Sequence, residues 1–228
     1  MGYGSGILTM APLIVQQAKN SGTSATFTNP VTIGNTIIVG MGVGSDNSPF
    51  VFSGLTVTDG GNTYTIGSSN YGYFTSAGTN YFVNGTVAFC PVTSAQTTVS
   101  TSGASSGALQ AVQIYEVSGL GAYDATTTMQ SLGSDNTATL TTGFNHEFVY
   151  VFTGTIDSGA TTPSGFTLLQ SSTTLSPPFA GGVTDYWKAD IGASGSHTID
   201  IGSCFGFQIA LAFQRTAPAT VNIAGFIM

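Results

Sequence analysis

The chain has almost no positive charge. Its cations are Lys19, Lys188 and Arg215, against ten Asp and Glu, for a formal net charge of −7 over 228 residues. Neutralising a nucleic-acid backbone takes clusters of Lys and Arg. None exists here, so a genome-facing role is excluded, and the same shortage argues against electrostatic attachment to an anionic membrane. Charged residues of both signs make up only 6% of the chain, against roughly 25% in ordinary soluble proteins. No apolar run is long enough to read as a transmembrane helix. The N-terminal stretch MGYGSGILTMAPLIVQQ carries a short apolar patch with no cationic region before it. It does not read as a signal peptide, so either the protein is not secreted by that route or a signal was removed upstream.

Cysteine is scarce as well. Cys90 and Cys204 allow at most one intrachain disulfide, or two buried free thiols. CxxC and Cys/His spacings are absent, which argues against a zinc site. No segment holds a helical period, because Gly and β-branched residues recur too often for long helices.

What fills the chain instead is Gly, Ser, Thr and Asn around a core that is 41% hydrophobic and 11% aromatic. That composition is not disorder. It suits β-sheets whose outward positions are Thr and Ser, and it is common in extracellular and virion proteins. Short strands are expected at Thr23–Thr28, Thr36–Val43, Asn80–Phe89, Thr97–Thr101 and Leu109–Val117, with an edge piece at Tyr71–Phe74. Thr36–Val43 is apolar throughout, as in a strand buried on both faces. Asn84-Gly85 suggests a bulge or turn inside its strand. Leu55–Ile66 reads as a hairpin about Asp59-Gly60-Gly61-Asn62, since glycine supplies the positive φ of tight turns. Folding there sets Val57 opposite Tyr64 and Leu55 opposite Ile66 on an apolar face, with a threonine ladder on the other.

The second half repeats this order. Phe148–Thr153 answers Ile37–Gly42, and Ser164–Leu168 answers Ser53–Val57. Asp185–Trp187 answers Val87–Phe89, His197–Ile201 answers Thr97–Thr101, and Phe207–Phe213 answers Ala111–Val117. Two such halves imply an all-β, two-sheet antiparallel sandwich of jelly-roll type, with the two central strands related by a pseudo-twofold or occupying equivalent places in the two sheets. The expected organisation is an arm at 1–13, one sandwich domain at 14–216 and a C-terminal segment at 217–228.

Signals for chemistry are weak. Gly103-Ala104-Ser105-Ser106-Gly107 matches the nucleophile-elbow pattern, but a strand follows it where the motif needs a helix. His146 and His197 lack motif-spaced acidic partners. Glu116 and Glu147 are the only glutamates, and sequence cannot pair either with an aspartate at glycosidase distance. Gly-Ser-Asp-Asn recurs at 44–47 and 133–136, where an Asx turn and a calcium loop are both open readings. Tyr71, Tyr73 and Phe74, near Tyr81 and Phe82, and Trp187 beside Tyr186 are candidate ligand or partner contacts; core packing explains them equally.

The runs I-V-Q-Q-A at 14–18, F-T-N-P-V-T-I-G-N-T-I-I-V-G at 27–40 and V-T-D-G-G-N-T-Y-T at 57–65 resemble a β-sandwich module of phage virion and bacterial surface proteins. I-Y-E-V-S-G at 114–119, S-G-F-T-L at 164–168 and I-A-L-A-F at 209–213 look like its remaining strands. The resemblance implies a concanavalin-like or jelly-roll sandwich in a surface-exposed structural role. It carries over no catalytic residue.

After Pro218, Val221, Ile223, Gly225 and Ile227 alternate with Asn222, Ala224 and Phe226. The segment reads either as an assembly tail adding to a neighbour's sheet edge or as an extra strand of its own sandwich. The expectation is a non-enzymatic structural protein on the outer surface of a phage particle, as head decoration, cement or fibre subunit. It contacts copies of itself and other virion proteins, with no cofactor, metal, nucleic acid or membrane. A carbohydrate-binding or adhesive surface module that contacts surface glycans, or an extracellular filament subunit, is the alternative.

Overall fold

The computed structural model describes residues 11–46, 55–76, 78–103, 109–131, 136–156, 160–172 and 182–216. The described residues are all-β. In chain order the strands are β1 (Leu13–Asn20), β2 (Ser24–Thr26), β3 (Thr36–Asp46), β4 (Thr56–Thr58) and β5 (Thr65–Ser76). Then come β6 (Thr79–Pro91), β7 (Thr98–Ser102), β8 (Leu109–Ser118), β9 (Leu120–Ser131) and β10 (Thr137–Thr142). The last are β11 (Phe148–Thr155), β12 (Thr167–Ser172), β13 (Val183–Lys188), β14 (Gly195–Asp200) and β15 (Gly206–Arg215).

They form two five-stranded antiparallel sheets, β1-β8-β3-β6-β5 and β9-β15-β11-β13-β12, with a three-stranded sheet β2-β7-β4 and a two-stranded sheet β10-β14. Each large sheet belongs to one half of the chain, and the two halves share one plan. Replacing β1, β8, β3, β6 and β5 by β9, β15, β11, β13 and β12 reproduces the sheet order. Registers agree too: Ile38 pairs with Phe89 and Tyr115, and Tyr150 pairs with Trp187 and Leu211. Even the irregularities recur. Edge strands β1 and β9 are both bulged, after Ile14 and after Tyr123, and edge strands β5 and β12 after Ile66 and after Leu168. Bulges bend and twist an edge strand, so four bulged edges blunt both large sheets against stray pairing.

Packing follows from which face each residue takes. Ile38, Val87, Phe89, Tyr115 and Val117 of the first large sheet meet Phe148, Tyr150, Phe152, Phe207, Leu211 and Phe213 of the second in one buried layer. On the outer face of the first sheet, Ile37, Val39, Met41, Ala88, Cys90 and Ile114 pack under Ala25 and Val99 of the three-stranded sheet. Val149, Val151, Tyr186, Ala210 and Ala212 pack likewise under Leu140 and Ile199 of the two-stranded sheet. Each Val, Ile, Leu, Met or Phe among them contributes about 1.5–3 kcal/mol when fully buried. The large sheets also meet at their edges in a twofold manner. β5 packs on β9, while Lys19 Nζ donates to the Ser171 carbonyl and Gln170 Nε2 to the Ala18 carbonyl, joining β1 to β12.

Glycine makes the sheet contact close. A Cβ on Gly85 or Gly154 would run into the Phe207 ring, so Phe207 fills a notch that only glycine leaves open. Gly119, at φ +77°, turns the chain from β8 directly into β9 and so from one large sheet to the other.

Four expectations need correction. Leu55–Ile66 is not a hairpin: β4 pairs with β7, while β5 pairs with β6. The turn chemistry is there, with Asp59 accepting from the Gly61 and Asn62 amides, the Asn62 side chain and the Tyr64 hydroxyl. Its two arms enter different sheets, and Leu55, Val57 and Tyr64 still pack on the same core. β6 runs against β3 without a register shift, so Asn84-Gly85 is no bulge. Ser164–Leu168 does not answer Ser53–Val57; the ladders set Thr167 and Leu168 against Thr65 and Ile66. The match of Phe148 to Ile37 is one residue out of step, since Phe148 faces the inter-sheet layer and Ile37 the outer one. Both cysteines are buried and no disulfide joins them.

Candidate functional site

The aromatic candidates do not come together. Tyr71 and Tyr73 flank Phe82 on one face of the β5–β6 ladder, with ring centroids 6.3 Å and 5.7 Å away. Phe74 points to the other face and packs on Phe205 at 4.9 Å. Trp187 lies in the second large sheet, half-buried against Phe148 at 5.7 Å. Tyr71 is the exposed member of the set. Ser105 and the tail residues Val221, Ile223, Phe226 and Ile227 lie outside the described residues, as do parts of both Gly-Ser-Asp-Asn stretches. Among the described residues, no three His, Cys, Asp or Glu side chains are grouped as metal ligands would be. Nor, among the described residues, is any helix long and apolar enough to cross a membrane.

A polar cluster forms instead at one end of the second unit, where three chain segments meet. His146 ends the turn before β11, Asp190 follows β13, and Arg215 closes β15. They line a cleft of about 590 Å³ together with Phe144, Asn145, Gln214 and Thr216. Arg215 Nη1 donates to Asp190 Oδ2 at 2.8 Å, and His146 Nδ1 lies 3.0 Å from the same oxygen. The Gly192 amide donates to Asp190 Oδ1 at 2.8 Å. Burial alone would raise the Asp190 pKa, but Gly192, His146 and Arg215 outweigh it and hold the carboxyl below its usual 3.8. Arg215 is 13% exposed, and its Nε is buried with no hydrogen-bond partner.

The repeat explains what is unusual about this end. In the first unit the Gly34 amide donates to the Val92 carbonyl and the Val92 amide to the Asn35 carbonyl. In the second, the His146 amide donates to the Gly192 carbonyl and the Ile191 amide to the Glu147 carbonyl. His146 therefore stands where Gly34 does, and both are left-handed, at φ +61° and +94°. A side chain in that region costs about 1–2 kcal/mol. Arg215 ends β15 in extended strand, whereas the first unit turns left-handed at Gly119, just past the end of β8. The polar cluster has no counterpart in the first unit.

The two glutamates organise these same turns from different places. Glu116, on β8, accepts from the Thr32 amide at 2.8 Å, Gln16 at 2.6 Å and Asn35 at 2.5 Å. Burial opposes its ionisation, but these donors hold its pKa below the ordinary value. Its counterpart on β15 is Ala212, and the carboxylate of the second unit comes from Glu147, in the turn itself. There it accepts from the Phe144 amide at 3.4 Å. Burial, then the neighbouring Asp124, push it up to about 7.

Every cation is engaged within the chain: Lys19 on the Ser171 carbonyl, Lys188 5.7 Å over the Phe166 ring, and Arg215 on Asp190. Sequence reasoning missed the cluster because its members are 44 and 25 residues from Asp190 and share no motif. Setting the two halves in register, where glycine meets histidine, would have found it. The chain matches no family model, no curated protein and no solved structure.

Proposed function

We propose that the chain is a non-enzymatic structural protein on the outer surface of a phage particle, a head decoration, cement or fibre subunit. It acts through contacts with copies of itself and with other virion proteins. The observation that carries this reading is the continuous packing through four sheets and three apolar layers. The strands of this block turn Thr, Ser and Asn outward where other proteins carry charge. Exposed apolar side chains sit on the sheet edges, Leu13 and Val15 on β1, Ile66 on β5 and Leu168 on β12. These are contact points suited to a partner surface rather than to an added strand, since the bulges interrupt the edges. The resemblance of the strand sequences to phage virion modules supports the same reading.

A second reading, a carbohydrate-binding surface module, is favoured by the cleft beside His146. Antibodies raised against the folded chain and applied to intact particles distinguish outside from inside. Gold labelling of undisrupted particles is the expected result. Labelling that appears only after the particles are broken open contradicts the outer-surface reading.

A further inference from the structure

We propose that the cleft lined by Phe144, Asn145, His146 and Arg215 binds the carboxylate of an acidic sugar, with the sugar ring against Phe144. The first support is the broken repeat. Strand order, register, bulges and turn hydrogen bonds recur in both units, so the fold does not require this cluster. Gly34 holds the backbone place of His146 in the first unit. His146 keeps a left-handed conformation at φ +61° where glycine would be free of strain, and retained strain of this kind collects at functional positions.

The second support is hydrogen-bond capacity. The Asp190 carboxylate is already occupied by Gly192, His146 and Arg215. Asn145 Oδ1 accepts from the Ser194 amide at 2.7 Å, which leaves the Asn145 N–H groups for the cleft. Arg215 lines the cleft and spends Nη1 on Asp190; its Nε is buried away from solvent, so only the outer edge of the guanidinium can meet a ligand. Gln214 and Thr216 in the lining offer both donors and acceptors, while the Arg215 guanidinium is its one permanent cation, and a carboxylate is the acceptor that matches a guanidinium fork. Phe144, 50% exposed, adds an apolar face for the C–H side of a sugar ring. The cleft volume of about 590 Å³ suits one or two sugar units.

The test is calorimetric titration of the full chain with trigalacturonate, its neutral galactose counterpart, and acetate, repeated on His146→Gly and Asn145→Ala. Trigalacturonate should bind at least about tenfold more tightly than either control. Both substitutions should weaken it by about tenfold or more, while the β-sheet circular dichroism is unchanged. His146→Gly restores the residue of the first unit and so keeps the fold. Equal binding of the neutral sugar or of acetate, equal binding by the variants, or no binding at all overturns the proposal. The particle-surface reading is tested separately, on particles, and neither result decides the other.

Discussion

The Tyr115 hydroxyl, on β8 of the first unit, donates to Asp185 Oδ2, on β13 of the second, at 2.6 Å across the layer between the large sheets. Tyr150 donates to the other carboxylate oxygen. All three side chains are buried, so this is a polar knot in an apolar layer, and it ties the two units together. Burial raises the Asp185 pKa to about 7 despite the two hydroxyls and Lys19, which pull it down.

The first prediction concerns pH. Between about pH 4 and 7 the native carboxyl holds a proton that the unfolded chain, near 3.8, has released. That contribution to stability is complete below the unfolded value and is lost as pH rises toward the folded one. Asp185→Asn removes the titration and keeps an acceptor for one tyrosine. Relative to wild type, the variant should be less stable at pH 5 than at pH 8, the difference shifting by roughly 2–4 kcal/mol. Urea unfolding across this range measures it; a pH-independent difference would show that Asp185 does not titrate there. Glu147 titrates in the same direction in both proteins, so the comparison cancels it.

The two glutamates should respond differently to the same change. Glu116→Gln sets an amide N–H₂ against donors that now point at a carboxylate, and should cost roughly 2–4 kcal/mol at pH 7. The wild-type contribution, from a lowered pKa, is present above the usual glutamate value and fades as pH falls through the folded one. Glu147→Gln imitates the protonated form that burial and Asp124 already favour, and should change stability by less than about 1 kcal/mol. Equal costs in urea melts would refute this division.

Gly85→Ala tests the contact between the sheets. Its methyl group enters the space of the Phe207 ring, and overpacking of this kind costs about 1–3 kcal/mol. Phe207→Leu alone should also destabilise, but the double variant should recover part of the sum. Strict additivity in thermal melts would mean that the two residues do not touch.

The strands and the repeat were legible because β-branched and aromatic runs recur in one order. Phase was not. β11, Phe148–Thr155, is buried at every position, so it offers no alternation to say which residue faces which layer, and the match to β3 slipped by one. The Asp59–Asn62 turn was legible too, since its chemistry is local, but the sheet each arm joins is set by distant strands. β10, Thr137–Thr142, alternates exposed and buried positions, but Thr fills both kinds, so only Ala138 and Leu140 carry the apolar alternation. The cleft depends on long-range juxtaposition of single residues, which composition and spacing do not encode.

The claim that this is a particle-surface structural protein is tested most directly by counting it. Particles purified through a density gradient would be quantified by mass spectrometry with isotope-labelled peptides from this chain and from the major capsid protein. The account predicts a fixed ratio of the two across the particle peak, in copies set by the symmetry of the shell or fibre. Finding the chain in the cell lysate but absent from the particle peak, or present at a ratio that varies from fraction to fraction, would contradict it.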